Sequence, residues 1–160
     1  MVWSSLKHQL GSIYPYWVRI GNNKVLLFKG EKDKIEFVSL FSCYLQDKGG
    51  LRYCRYKIEE DEKGKGFSLK VSETKVLNAD LGELDIADER FGILVSGLPS
   101  FIFEYADQNK TDGPVQWFST WKGKERERLP VKVRFAFKEK YHDMEELSFA
   151  FRSKGYVFSR

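Results

Sequence analysis

Two histidines are the first side chains that could do chemistry, because imidazole is a common general base and metal ligand near neutral pH. His8 and His142 lie far apart in the sequence and do not form a pair with the spacing of metal ligands. Neither a P-loop nor a Gly-x-Gly-x-x-Gly pattern occurs, and Lys63-Gly64-Lys65-Gly66 indicates a charged turn. The sequence therefore predicts no catalytic residues, no metal ligands and no cofactor, and we do not expect an enzyme.

An acidic stretch over residues 80–89 could supply the oxygen ligands that calcium prefers. It lacks the spacing of an EF-hand and the glycine of the EF-hand turn. The stretch therefore favours a solvated surface, and a cation site there stays an open alternative. Its carboxylates are Asp80, Glu83, Asp85, Asp88 and Glu89.

The charge balance argues against a nucleic-acid partner. The chain has 27 Lys and Arg against 23 Asp and Glu, a net charge of +4, and the two signs are interspersed along it. No run of about 20 apolar residues is present that could span a membrane. With 160 residues and 42% hydrophobic composition, the chain is expected to form one domain over 1–160 with a substantial core.

The two cysteines flank a turn signal. If Lys48 and Gly49 are the two central residues of a hairpin loop, Cys43 lies directly opposite Cys54. Such a pair is close enough for a disulfide, which an oxidising compartment would permit. Two buried thiols in a reduced protein fit the sequence equally well.

The elements that position these residues begin with a helix. From Val2 to Trp17, apolar residues recur at steps of three and four, which predicts a helix over about 1–17 that is loosened at Pro15. No capping residue precedes Val2, so we expect this helix to be the tail of a longer one. Its polar side is expected to face outward and to let a partner helix approach closely. That predicted interface is Ser4, Ser5, His8 and Ser12.

After residues 21–23 the period changes to 2, and short strand patterns separated by turns continue over 24–151. The clearest alternation places Val131, Val133, Phe135 and Phe137 on one face. The predicted fold class is therefore α+β, with one N-terminal α-helix packed on two antiparallel β-sheets.

Two tryptophans four residues apart, Trp117 and Trp121, stand before a charged run. In one extended segment they would share a face, and such a pair is more often core packing than a stacking platform. Arg126 and Arg128 are nearly balanced by Glu125 and Glu127, which favours an exposed loop over a phosphate groove. The tryptophans are therefore interpreted as architecture.

Four motifs follow one another along the strand region: "FKGEKDKIEFVS" (28–39), "GGLRYCRYKI" (49–58), "ILVSGLPSFIFEYAD" (93–107) and "WFSTWKGKERERLPVKVRF" (117–135). Their order and spacing resemble the globular domain of the type II secretion minor pseudopilin J family. The resemblance covers about residues 24–138. The family's basic leader and its long hydrophobic helix with Glu at the fifth position are absent from this sequence.

This resemblance implies a pilin-like, partly open barrel-like domain without catalytic residues. It implies a place at the tip of the pseudopilus, in a complex with the minor pseudopilins usually called I and K. It further implies a full-length protein anchored by a membrane helix at the periplasmic face of the inner membrane of a Gram-negative-type bacterium. The alternative is a secreted β-rich module that binds carbohydrate through Trp117, Trp121 or Tyr56.

Overall fold

The computed structural model describes residues 2–43, 49–62, 64–76 and 91–137, and the backbone of 148–150. Its helices are α1, Val2–Gly11, and the single turn α2, Gly123–Arg126. The described strands are β1 Ile13–Tyr14, β2 Trp17–Ile20, β3 Asn23–Leu26, β4 Phe28–Gly30, β5 Lys34–Ser39, β6 Arg52–Glu60, β7 Phe67–Lys75, β8 Gly92–Leu98, β9 Phe101–Asp107, β10 Gln116–Phe118, β11 Trp121–Lys122, β12 Lys132–Phe137 and β13 Ser148–Ala150.

The strands form three antiparallel sheets. The large sheet has the order β11-β4-β5-β6-β7-β8, and β1 pairs with the end of β5. The second sheet has the order β10-β9-β12-β13, while β2 and β3 form a separate hairpin. No helix among the described residues is both long enough and apolar enough to cross a bilayer.

The predicted fold class, α+β with a pilin-like packing of one helix on two sheets, is wrong. The described residues are mostly β, form three sheets rather than two and do not show a pilin-like packing, although the single short N-terminal helix agrees loosely with the prediction. The helix ends at Gly11 rather than near Trp17, and Ile13, Tyr14 and Trp17 lie in strands. Aromatic and β-branched residues favour strands, and Pro15 cannot donate the backbone hydrogen bond that a helix needs.

The core lies where α1 and the two larger sheets meet. Leu6 and Leu10 of the helix are fully buried against side chains of both sheets. The alternation predicted around residues 131–138 is confirmed for β12, where Val133 and Phe135 are buried. Aromatic rings then contact one another across the second sheet, with the Phe103 and Phe135 centroids 5.2 Å apart. These contacts are the usual edge-on and tilted geometries of buried rings.

The two larger sheets meet at Gly30. A Cβ at this position would lie 2.2 Å from the ring carbon Cζ of Tyr105, far inside van der Waals contact. The Tyr105 ring is fully buried, and its hydroxyl donates to the carbonyl oxygens of Glu31 at 2.8 Å and Lys34 at 3.2 Å. Trp121 of β11 is the residue directly opposite Gly30 in the antiparallel pairing of β11 with β4. Three segments distant in sequence therefore converge on one residue without a side chain.

We expect Gly30→Ala to lower the free energy of unfolding by roughly 3 kcal/mol, because the Tyr105 ring is held by its hydroxyl and cannot retreat. Chemical denaturation of the variant measures this loss. The double variant Gly30→Ala/Tyr105→Leu should be less unstable than the sum of its single changes, since leucine leaves room for the new methyl group. Additive losses would show that the ring does not restrict Gly30.

Candidate functional site

The outer side of α1 carries the residues predicted to contact a partner. Ser4 and His8 are exposed, whereas Ser5 and Ser12 are half-buried. The Ser12 hydroxyl donates to the carbonyl oxygen of His8 at 2.7 Å, which joins the residue after the helix to its last turn. Ser4 and His8 are therefore available to a partner, and the interface role of all four residues stays a prediction.

Two large apolar side chains stand beside His8, just after β5 ends. Leu40 is 51% exposed and Phe41 is 52% exposed, and the Phe41 ring meets His8 edge-on at 6.3 Å between centroids. Tyr14 is also exposed, and it pairs with Val38, two residues before Leu40 in the sequence. We define His8, Tyr14, Leu40 and Phe41 as the helix-end patch. Exposed apolar side chains that are grouped together often mark an interaction site.

The backbone of Phe41 is fixed on both sides. Its N–H donates to the hydroxyl oxygen of Ser39 at 3.2 Å, and its carbonyl oxygen accepts from Nε2 of Gln9 at 2.8 Å. The Ser39 hydroxyl in turn donates to the carbonyl oxygen of Gln9 at 3.0 Å. The exposed ring therefore projects from an ordered backbone, which reduces the entropy that binding would cost.

Beneath the patch lies a buried polar cluster that docks the helix on the large sheet. Gln9 is fully buried, and its Oε1 accepts from the Tyr56 hydroxyl and from Cys43 Sγ. Its Nε2 donates to Glu73 Oε1 at 2.6 Å, and the same carboxylate accepts from the Cys43 N–H at 2.7 Å. We define Gln9, Ser39, Cys43, Tyr56 and Glu73 as the helix-docking cluster.

The sequence argument missed most of these residues. Gln9 is polar and so carries no signal of burial by residue type, but it follows Leu6 by three positions and therefore lies on the buried side of the helix. Leu40 and Phe41 carried a usable signal, since two consecutive apolar residues follow directly after a strand whose alternation has ended. Glu73 had no signal of its own, because its partners, Gln9 and the segment at Cys43, are 30 or more positions away in the sequence.

The predicted opposition of Cys43 and Cys54 is wrong. Cys54 on β6 pairs with Phe37 of β5, and β5 ends at Ser39 before Cys43 is reached. Both cysteines are free thiols in the structure, and Cys54 is fully buried. Desolvation by burial raises the pKa of Cys43 to about 12, and it also raises the pKa of Cys54. The structure therefore has one buried free thiol, Cys54, and one half-buried free thiol, Cys43, and both are expected to react slowly.

The two tryptophans of the sequence argument do not share a face. Trp117 lies on β10 of the second sheet, whereas Trp121 lies on β11 of the large sheet. The predicted burial of Trp121 is confirmed, and its Nε1 donates to the carbonyl oxygen of Arg128 at 2.9 Å. The Arg126 guanidinium lies over the Trp121 ring at 4.2 Å and pairs with Asp107 at 3.2 Å. The sequence predicted an exposed loop here, whereas Arg126 packs on Trp121 and pairs with Asp107 and so helps to hold the fold.

Several sequence candidates lie outside the described residues. The acidic stretch 80–89 and His142 are among them, so their roles stay predictions. Within the described parts of the chain, no group of three or more His, Cys, Asp or Glu side chains is placed to hold a metal ion.

Comparison with known proteins gives no relative on which to base a function. No protein-family model matches the sequence, and no curated protein matches it. Support for a function must therefore come from the residues and surfaces of this chain.

We expect Gln9→Ala to lower the free energy of unfolding by about 2 kcal/mol, because it removes the hydrogen bonds of Gln9 to the buried Tyr56 hydroxyl and to the half-buried Glu73 carboxylate. Urea denaturation measures the change. Ser4→Ala is the matched control on the same helix, and its effect should stay within about 0.5 kcal/mol because Ser4 is exposed. Equal effects of the two substitutions would contradict a stabilising role for the cluster.

The thiols should react slowly in the folded protein. At pH 8 the raised pKa of Cys43 leaves far less thiolate than an unfolded cysteine has, so alkylation should be slower by roughly a hundredfold or more than in denaturant. Above pH 9 the unfolded chain releases thiol protons that the folded chain keeps, so stability should fall as pH rises. Iodoacetamide labelling followed by mass spectrometry, with melting curves from pH 7 to pH 10, tests both. Fast labelling of native protein would contradict the buried environment.

Proposed function

We propose that this chain is a structural subunit of the type II secretion pseudopilus, assembling at its tip with the I-like and K-like minor pseudopilins. The observation that carries the proposal is the helix-end patch, in which Leu40 and Phe41 are half exposed beside His8. Monomeric proteins seldom leave such neighbouring apolar side chains in water unless a partner covers them. Ser4, also exposed on α1, is small enough for a second helix to approach.

The order of the sequence motifs gives independent support. The motifs that carry the resemblance contribute Gly30, Tyr105 and Trp121, which meet at the joint between the two larger sheets. The order of these motifs is therefore explained in part by one packing requirement, which is a glycine at the position where an aromatic ring lies against the backbone. The corrected fold class adds no support, so the proposal depends on these motifs and on the patch.

The mechanism of such a subunit is packing rather than chemistry. The helix-docking cluster holds the Phe41 backbone through Gln9 and Ser39, so the patch is ready to bind. A stable interface buries about 800 Å² on each partner, more than four side chains supply, so part of the β-sheets must contribute. The resemblance implies that this assembly occurs at the periplasmic face of the inner membrane, which remains part of the proposal.

The carbohydrate-binding alternative gains no support from its three aromatic residues. Trp121 and Tyr56 are each only 1% exposed and cannot stack on a sugar. Trp117 is half-buried, and the Arg134 guanidinium lies over its ring at 3.9 Å. No observation on these residues favours that function.

We expect Leu40→Ser/Phe41→Ser to weaken binding to the co-expressed I-like and K-like proteins of the same genome by roughly thirtyfold, as the loss of an interface anchor does. Affinity measured by biolayer interferometry on the purified chain tests this. Ile93→Ser is the matched control, because Ile93 is 66% exposed on β8, at the far edge of the large sheet. Its binding should equal that of the unchanged protein.

Unchanged binding of the double variant, or an equal loss in the control, would contradict the assigned surface. Failure of the unchanged chain to bind either partner would contradict the function itself. Melting temperatures of both variants should stay close to that of the unchanged protein, since the substituted side chains are half or more exposed.

A further inference from the structure

Positive and negative residues are interspersed over most of the chain, but not over its first 30 residues. Residues 1–30 contain four basic residues and no Asp or Glu. These four equal the net charge of +4 for the whole chain, so the remaining residues carry equal numbers of both signs. The bases are Lys7, Arg19, Lys24 and Lys29.

Two of these cations face each other across the β2–β3 hairpin. Arg19 pairs directly with Lys24, and both are exposed. Like charges directly opposite on a strand pair are destabilising. In the part of the chain that the structure describes, no carboxylate forms an ion pair with either side chain. The hairpin therefore carries a local charge repulsion that an external anion would relieve.

Exposed apolar side chains accompany this cation pair. Trp17 is 42% exposed and lies on the same hairpin face as Arg19, while Val18 on the opposite face is buried. Ile20 is on the Val18 face but is 51% exposed, because it stands at the end of the hairpin, immediately before the Gly21-Asn22 turn, where Gly21 has a φ of +60°. We define Trp17, Arg19, Ile20 and Lys24 as the cationic tip.

We propose that the cationic tip binds the surface of an anionic lipid bilayer. Arg19 and Lys24 would pair with lipid phosphates, and Trp17 would occupy the headgroup region, where indole rings are enriched. Ile20 would enter the boundary between headgroups and acyl chains. A nucleic acid would match the charges and could stack on Trp17, but it offers an aliphatic side chain no apolar environment. The lipid surface accounts for all four side chains, and this inference does not depend on the pseudopilin proposal.

Co-flotation of the full chain with vesicles tests the inference. The protein should bind phosphatidylcholine vesicles containing about one third phosphatidylglycerol, bind pure phosphatidylcholine far less, and be released as salt shortens the screening length. Arg19→Thr/Lys24→Thr should lose roughly 25-fold in affinity, about fivefold for each cation. Ile20→Ser should lose affinity without any change in charge. The matched control is Lys65→Thr/Lys110→Thr, which removes the same charge from exposed turns elsewhere.

Binding that is selective for anionic vesicles and lost only in the tip variants is the expected result. An equal loss in the lysine control would overturn the inference, because it would show a response to net charge alone. Tighter binding to a duplex oligonucleotide than to vesicles would overturn it in favour of nucleic acid. If the double variant fails to fold, the test depends on two other measurements: the affinity of Ile20→Ser and the preference of the unchanged chain for anionic vesicles. The inference is overturned if Ile20→Ser binds as tightly as the unchanged chain or if that preference is absent.

Discussion

The contact between the Tyr105 ring and the backbone of Gly30 is the constraint on which the rest of the fold depends. It joins the edge region of the large sheet to the second sheet, and the Tyr105 hydroxyl anchors the ring by donating to two backbone carbonyl oxygens. Trp121 pairs with the same glycine, and Phe28 meets the Tyr105 ring edge-on at 6.0 Å. Without the Tyr105 ring against Gly30, a cavity would remain between the two sheets. Protein interiors are closely packed, so such a cavity would lower the free energy of unfolding.

The helix is held by different physics. Leu6 and Leu10 supply apolar burial, but the position of the helix along the sheet is set by the hydrogen bonds of Gln9. A fully paired polar group in a core adds little net stability, yet it penalises every other arrangement that would leave it unpaired. The same side chain fixes the backbone of Phe41, so the site at the surface is specified from within the core. A substitution at Gln9 would therefore change both the stability of the fold and the position of the Phe41 backbone.

Local pattern predicted local structure well and long-range structure poorly. The alternation of β12 was readable because one face is buried and the other is not, as Val133 and its neighbours show. The helix was drawn too long because Ile13, Tyr14 and Trp17 fit a three-and-four spacing by chance, while their strand propensity and Pro15 decide the outcome. The cysteine register failed because it assumed a tight turn, whereas β5 ends well before Cys43. Gln9 and Glu73 could not be paired from sequence, since 64 positions separate them.

The same joint at Gly30 governs the order in which the chain can fold. The Tyr105 hydroxyl bonds to a carbonyl 74 residues earlier, so β4 and β5 are complete long before their aromatic cover has been synthesised. Closing the loop between Glu31 and Tyr105 lowers the chain entropy before the stabilising contacts form. Folds rich in non-local pairings therefore form slowly. During that interval the outer edge of β4 lacks β11, and an unpaired edge readily recruits strands from other chains. Because Tyr105 and β11 are synthesised after β4 and β5, the chain is most prone to aggregate during its synthesis.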